Sequence, residues 1–152
     1  MTRDFADFLD ALNSEGSAYV IIGGMAVVFY VPYRTTRDID VLIEPSIDNG
    51  RRVRRAVQRW GGFEPAFAAE DFIAGDILSF GGLLRVEVLS RVPGVTWDEV
   101  WAHRVAATFQ EVPTFFASLG DLIAMKASTG RKEKDLPDLK RLRRLRDRLE
   151  ST

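Results

Sequence analysis

The residues best suited to chemistry in this chain are two aspartates one residue apart, Asp38 and Asp40 in the run DIDVLIE. Read as a strand closed by Pro45, the run sends Asp38 and Asp40 to one face and Ile39, Val41 and Ile43 to the other. Two like charges at that spacing repel one another, so the pair needs something positive between them. A divalent cation meets the need. Hard oxygen ligands suit Mg²⁺ or Mn²⁺, and Mg²⁺ usually takes only one or two protein carboxylates, with phosphate and water completing its shell. Two such ions about 4 Å apart can activate an attacking hydroxyl and neutralise a leaving phosphate. Glu87 is the candidate third acid. In LLRVEVL, Leu84, Val86 and Val88 take one face and Arg85 and Glu87 the other, so Glu87 sits beside the aspartates if the two strands are neighbours.

An isolated D-x-D is also the pattern of a solvated strand end, so its surroundings matter. Upstream, Gly23-Gly24 follows the apolar run Ala18–Ile22 and precedes a short apolar stretch, Met25–Val31, that stops before Pro32. That reads as strand, glycine turn and buried helix. Glycine there lets backbone amides approach a phosphate at a helix N-terminus, and close packing is an equally good reason for it. Neither a G-x-x-x-x-G-K-[ST] nor a G-x-G-x-x-G pattern is present, which disfavours P-loop and Rossmann chemistry. His103 is the only histidine, so a histidine-rich metal site is excluded and a surface or packing role is expected. Ser79, Ser90 and Ser118 have no visible partner for nucleophilic catalysis, and Trp97, Trp101, Phe115 and Phe116 read as core or interface.

The elements that must position these residues follow from periodicity. Phe5, Phe8, Leu9 and Leu12 imply an opening helix between Thr2, a cap, and Gly16, a stop. Val53, Ala56, Val57 and Trp60 imply a helix over Ser46–Trp60 that ends at Gly61-Gly62. Asp76–Phe80 and Leu83–Leu89 read as a hairpin joined by Gly81-Gly82. Trp97–His103 reads as a short helix, Arg104–Phe116 as one or two weak strands, and Ser118 with Asp121 as a capping-box-like start for a helix to Ser128. A last helix is expected from about Asp135, with Pro137 in its first turn and Leu136, Leu139, Leu142, Leu145 and Leu149 along one side. This order implies an α/β (α+β) fold, a mixed β-sheet with flanking helices and a helical C-terminus, as a single domain over residues 1–152.

Composition limits the function classes. With 152 residues, 46% hydrophobic and 28% charged, the chain is an ordinary globular protein large enough to bury a core. It has no cysteine, which excludes disulfides and thiolate metal sites and suits a reducing compartment, with the cytoplasm as default. Met1–Asp10 lacks the basic flank and apolar core of a secretory signal, and no apolar run is long enough to span a bilayer. The net charge of −1 conceals an imbalance: nine Lys/Arg against five Asp/Glu from Arg131 to Glu150 give +4 there and −5 elsewhere. That end either faces phosphates or is a solvated helix face.

The run VIIGGMAVVFYVPYRTTRDIDVLIEP resembles the glycine turn and Asp-x-Asp strand of the polymerase-β-like nucleotidyltransferases. LGDLIAMKASTGRKEKDLPDLKRL is similar to the C-terminal part of small AbiEii-type toxin-related nucleotidyltransferases, and with LLRVEVLS the likeness spans about Val20 to Leu142. The resemblance implies a metal-dependent transfer of NMP from an NTP to a hydroxyl, with pyrophosphate leaving. By position, Gly23 and Gly24 hold the triphosphate, Asp38 and Asp40 ligate Mg²⁺, and Glu87 completes the set where relatives carry aspartate. Arg34, Thr36, Lys126, Arg131, Lys134 and Asp135 match further nucleotide-binding positions. The implied acceptor is a macromolecule, tRNA or protein, with a toxin-antitoxin setting and an antitoxin partner. An antibiotic nucleotidyltransferase of the aminoglycoside or lincosamide type, and a non-catalytic nucleotide-binding or partner-binding module, are the alternatives.

Overall fold

The computed structural model describes residues 4–32, 35–129 and 132–151, with residues 132–134 described by their backbone alone. Phe5, Phe8, Leu9 and Leu12 form the buried stripe of α1 (Phe5–Ser14). Its cap is Asp4, whose carboxylate accepts the Asp7 amide at 2.8 Å; Thr2, the expected cap, lies outside the described residues. All four residues of β1 (Tyr19–Ile22) are buried. Helix α2 (Gly23–Tyr30) follows without a linker, so the glycine pair is its first turn and not a turn before Met25.

β2 (Asp38–Ile43) leads into α3 (Ile47–Gly61), which Ser46 caps and Gly62 ends in the left-handed conformation at φ 69°. A 3₁₀ turn at Ala69–Ile73 then precedes β3 (Leu78–Gly81) and β4 (Arg85–Leu89). Gly81 pairs with Arg85, so the loop is Gly82-Leu83-Leu84 and not the expected glycine pair. Gly81, the strand residue before this loop, has a positive φ of 95°, and a Cβ there would meet the Leu84 carbonyl at 2.6 Å. Leu84 is consequently a loop residue, 43% exposed, and only Val86 and Val88 face the core.

α4 (Trp97–His103) opens with a Thr96/Glu99 capping box. The weak signal before Phe116 resolves into two strands, β5 (Val105–Phe109) and β6 (Val112–Phe116). Their turn residues, Gln110 and Glu111, both have positive φ, 45° and 72°, without a glycine to announce the turn. α5 (Leu119–Ala127) is capped by Ser118, whose hydroxyl accepts the Asp121 amide, but Asp121 turns to His103 instead of completing a box.

α6 (Lys132–Glu150) starts three residues before the expected Asp135, so Pro137 is its sixth residue and removes one bond from the ladder. The leucine stripe is only half used. Leu139 and Leu142 are buried, whereas Leu136 and Leu149 are 42% and 59% exposed. A helix of 19 residues outruns α5, whose 9 residues cover only about half its length.

The six strands form one mixed sheet in the order β3-β4-β2-β1-β6-β5, with flanking helices and a helical C-terminal end, as the element order implied. β1 lies antiparallel to β2 and parallel to β6; β2 lies parallel to β4. Ile39, Val41, Ile43, Val86 and Val88 are fully buried on the apolar side, each contributing about 1.5–3 kcal/mol of burial. No helix among the described residues is long and apolar enough to cross a membrane.

The β5–β6 turn offers a test of local strain. Replacing Gln110 by Asn and Glu111 by Gly supplies residues that favour positive φ, and should stabilise the protein by about 1 kcal/mol, read as a Tm rise of roughly 2–4 °C. An unchanged or lower Tm would show that the turn carries no strain.

Candidate active site

The parallel pairing of β2 with β4 decides which side chains meet. Asp40 lies opposite Glu87 and Asp38 opposite Arg85, so a one-residue slip would replace both acids' neighbours with valines or leucine. The expected adjacency of Glu87 to the aspartates is therefore present. Asp38, Asp40 and Glu87 line a cleft of about 570 Å³, together with Gly23, Gly24, Thr36, Arg85, Lys126, Thr129 and Asp135.

Gly23 makes room for one of these acids. At φ 66° it adopts a backbone that side chains resist, and a Cβ there would overlap the Asp40 carboxylate. Oδ1 of Asp40 is buried and has no hydrogen-bond partner among the described residues. Burial above all, then the neighbouring Glu87 and Asp38 carboxylates, push the Asp40 carboxyl up to about 7, against the lowering influence of Lys126. A hydrogen bond from Glu87 adds to the upward push on the Asp40 carboxyl.

Asp38 is held differently. Arg85 Nε donates to its Oδ1 at 3.4 Å and lies 4.0 Å from Glu87 Oε1. The Thr36 hydroxyl accepts the Asp38 amide at 3.2 Å and lies 3.3 Å from the Asp38 carbonyl, so Thr36 braces the start of β2 at the cleft edge.

Lys126 is a buried cation. Its Nζ lies 3.1 Å from Asp135 Oδ1 and 3.4 Å from Asp138 Oδ2, and all three side chains are nearly inaccessible. Thr129 donates to Asp135 Oδ2 at 2.6 Å. Lys126 and Asp135, both expected to contact nucleotide, thus stand at the cleft wall joined to each other, and they dock α6 on α5. Arg34 and Arg131 lie outside the described residues, and Lys134 falls in α6 with its side chain outside them. His103 meets Asp121 at 3.0 Å and ties α4 to α5, in keeping with a packing role.

Three site residues escaped the sequence reading. Arg85 was placed on the acid face without a role, although its position two residues before Glu87 was the signal. Asp138 follows Asp135 by three residues and so shares its helix face. Thr129 carried no periodic signal.

Among the described residues no cluster of three or more histidine or carboxylate groups stands ready-made for a metal ion. Asp40 and Glu87 face each other across the strands, and Asp38 accepts from Arg85. The donor chemistry nevertheless fits a hard divalent cation, with oxygen ligands throughout and one buried oxygen lacking a partner.

A family model described as a nucleotidyltransferase of unknown function (DUF6036) matches residues 3–150. No curated protein matches the chain.

Two measurements follow from the buried charges. Because the folded-state pKa of Asp40 lies above its unfolded value, metal-free protein should lose stability as pH rises from about 4 to about 7, then level off. Denaturant titrations of Asp40→Asn in chelator should show a stability gain over wild type that grows across that window, by about 1–3 kcal/mol; parallel pH curves would rule the burial effect out. Lys126→Met removes the cation between two buried carboxylates and should cost on the order of 3 kcal/mol by urea denaturation.

Proposed function

The chain belongs to the DUF6036 family of nucleotidyltransferases, and we propose that it moves NMP from an NTP to an acceptor hydroxyl with Mg²⁺ or Mn²⁺ held by Asp38, Asp40 and Glu87. The observation that carries this reading is the register-enforced meeting of Asp40 with Glu87 beneath Gly23, with one Asp40 oxygen buried and unpartnered. A hard divalent cation on these oxygens would neutralise polyphosphate charge and make the acceptor hydroxyl more acidic.

The chain's own groups supply the rest. Gly23 and Gly24 form the first turn of α2, where amides that begin a helix point outwards and the macrodipole favours an anion, so this turn receives the triphosphate. Lys126 keeps a fixed positive charge beside Asp40, held there by Asp135 and Asp138. Asp40 acts as a metal ligand in its ionised form. Glu87 pairs with Asp40 across the strands, which supports a working third acid in place of the usual aspartate.

A macromolecular acceptor, tRNA or protein, is supported by the basic face of α6. Arg141, Arg144 and Arg148 share one helix side and, with Asp147 the one acid among them, line a groove of about 670 Å³ beside Tyr30, Val31 and Pro32. The AbiEii-type relationship, a toxin role with an antitoxin partner and a cytoplasmic setting belong to this proposal and rest on the likeness of the segment from Leu119 to Leu142.

Incubation with Mg²⁺, labelled NTPs and total tRNA or lysate should give labelled acceptor, chelator should abolish it, and Asp40→Asn and Glu87→Gln should each lower it by about 100-fold or more. Undiminished labelling by Asp40→Asn would defeat the assigned metal role. An aminoglycoside labelled in preference to tRNA and protein would move the acceptor to a small molecule.

A further inference from the structure

Arg85 occupies an unusual place in the acid cluster. It enters from β4 on the same sheet face as Glu87, directly opposite Asp38. Its Nε lies within 3.4 Å of Asp38 and 4.0 Å of Glu87, so it touches two of the three acids that converge there. The second cation near the cluster, Lys126, is buried and committed to Asp135 and Asp138. Arg85 is different: its side chain is 51% exposed and that of Asp38 is 41% exposed, so the pair borders open solvent and can part at little cost.

A carboxylate oxygen that accepts a guanidinium hydrogen bond is a poorer ligand for a second cation, because both would draw on the same charge. The planar fork of an arginine is also well matched to phosphate oxygens, which it can grip through two parallel bonds. Arg85 stands at the rim of the cleft in which Gly23 and Gly24 face the acids, within the same cavity.

We propose that Arg85 is an exchangeable internal cation: it holds the Asp38 carboxylate in the nucleotide-free protein, yields that carboxylate to a divalent cation, and then grips the polyphosphate chain of the NTP. This rests on the metal-dependent reading above. It accounts for a guanidinium of the protein's own standing within 3.4 Å of an acid of the cluster, on the exposed side of the sheet. It also makes metal and triphosphate binding mutually supportive, as each finds a partner that the other sets free.

The test separates two affinities that should move in opposite directions. Calorimetric titration of Mn²⁺ into nucleotide-free protein should show Arg85→Met binding about five- to tenfold more tightly than wild type. Titration of a non-hydrolysable NTP in saturating Mg²⁺ should show the same variant binding about tenfold more weakly, with Arg85→Lys recovering part of the loss because it keeps the charge without the fork. A purely structural pair between β2 and β4 would leave Mn²⁺ affinity unchanged or lower it, and would reduce urea stability instead; that result overturns the proposal. Asp40→Asn keeps the failures apart. If it abolishes Mn²⁺ binding while Arg85→Met matches wild type, the metal site stands and the role of Arg85 falls. If Asp40→Asn binds Mn²⁺ as wild type does, or if no form binds it, the metal reading itself fails and the Arg85 proposal with it.

Discussion

The parallel pairing of β2 with β4 is the constraint on which the rest of this structure depends. It buries Ile39, Val41, Val86 and Val88 on one side and, by strand alternation, must gather Asp38, Asp40, Arg85 and Glu87 on the other. The apolar side stabilises the register at several kcal/mol, which is enough to hold two carboxylates face to face at the cost of a strongly raised Asp40 pKa. The acid cluster is therefore strain that the core sustains.

Charge compensation is divided between two basic residues of opposite character. Lys126 is buried between Asp135 and Asp138, so its position is set by packing of α6 against α5. Arg85 is exposed and lies against Asp38 and Glu87. The first gives the cluster a fixed potential and the second a movable one. The C-terminal helix consequently belongs to the site: through Asp135 and Asp138 it holds Lys126, a buried cation that lowers the pKa of Asp40.

Much of this arrangement was legible in the residues. Alternation in DIDVLIE and RVEVL assigned the acid face before any pairing was known, and the pairing then followed the alternation. Helices α1 and α3 were legible because their apolar residues repeat at helical spacing and polar or glycine caps bound them. What escaped had either no local signal or depended on contacts between segments distant in sequence. The turn at Gln110-Glu111 adopts positive φ with residues that do not favour it, so local chemistry gave no warning. The leucines of α6 keep their period to the end, yet Leu139 and Leu142 are buried while Leu136 and Leu149 are exposed, which the period alone does not distinguish. Gly23 was legible as a conformational need, but its closeness to Asp40 arises from β1 and β2 lying antiparallel, with Ile22 opposite Asp40.

The third acid shows how a residue's length takes its meaning from register. As a substitute for aspartate, glutamate places its carboxylate one methylene further out, a displacement large enough to matter at a reacting centre. In this sheet, however, Glu87 is the direct cross-strand partner of Asp40, and neighbouring strands stand about 4.8 Å apart. A longer side chain reaches across that gap to the aspartate, and the hydrogen bond that it offers is one cause of the raised pKa of Asp40. Arg85, two residues earlier on the same strand, reaches across to Asp38 in the same way. Both long side chains of β4 lean towards the short acids of β2, so the cluster closes over the strand that carries the aspartates. The length of Glu87 is thus part of the geometry that makes the site, and the residue to weigh against it is its charge partner Asp40.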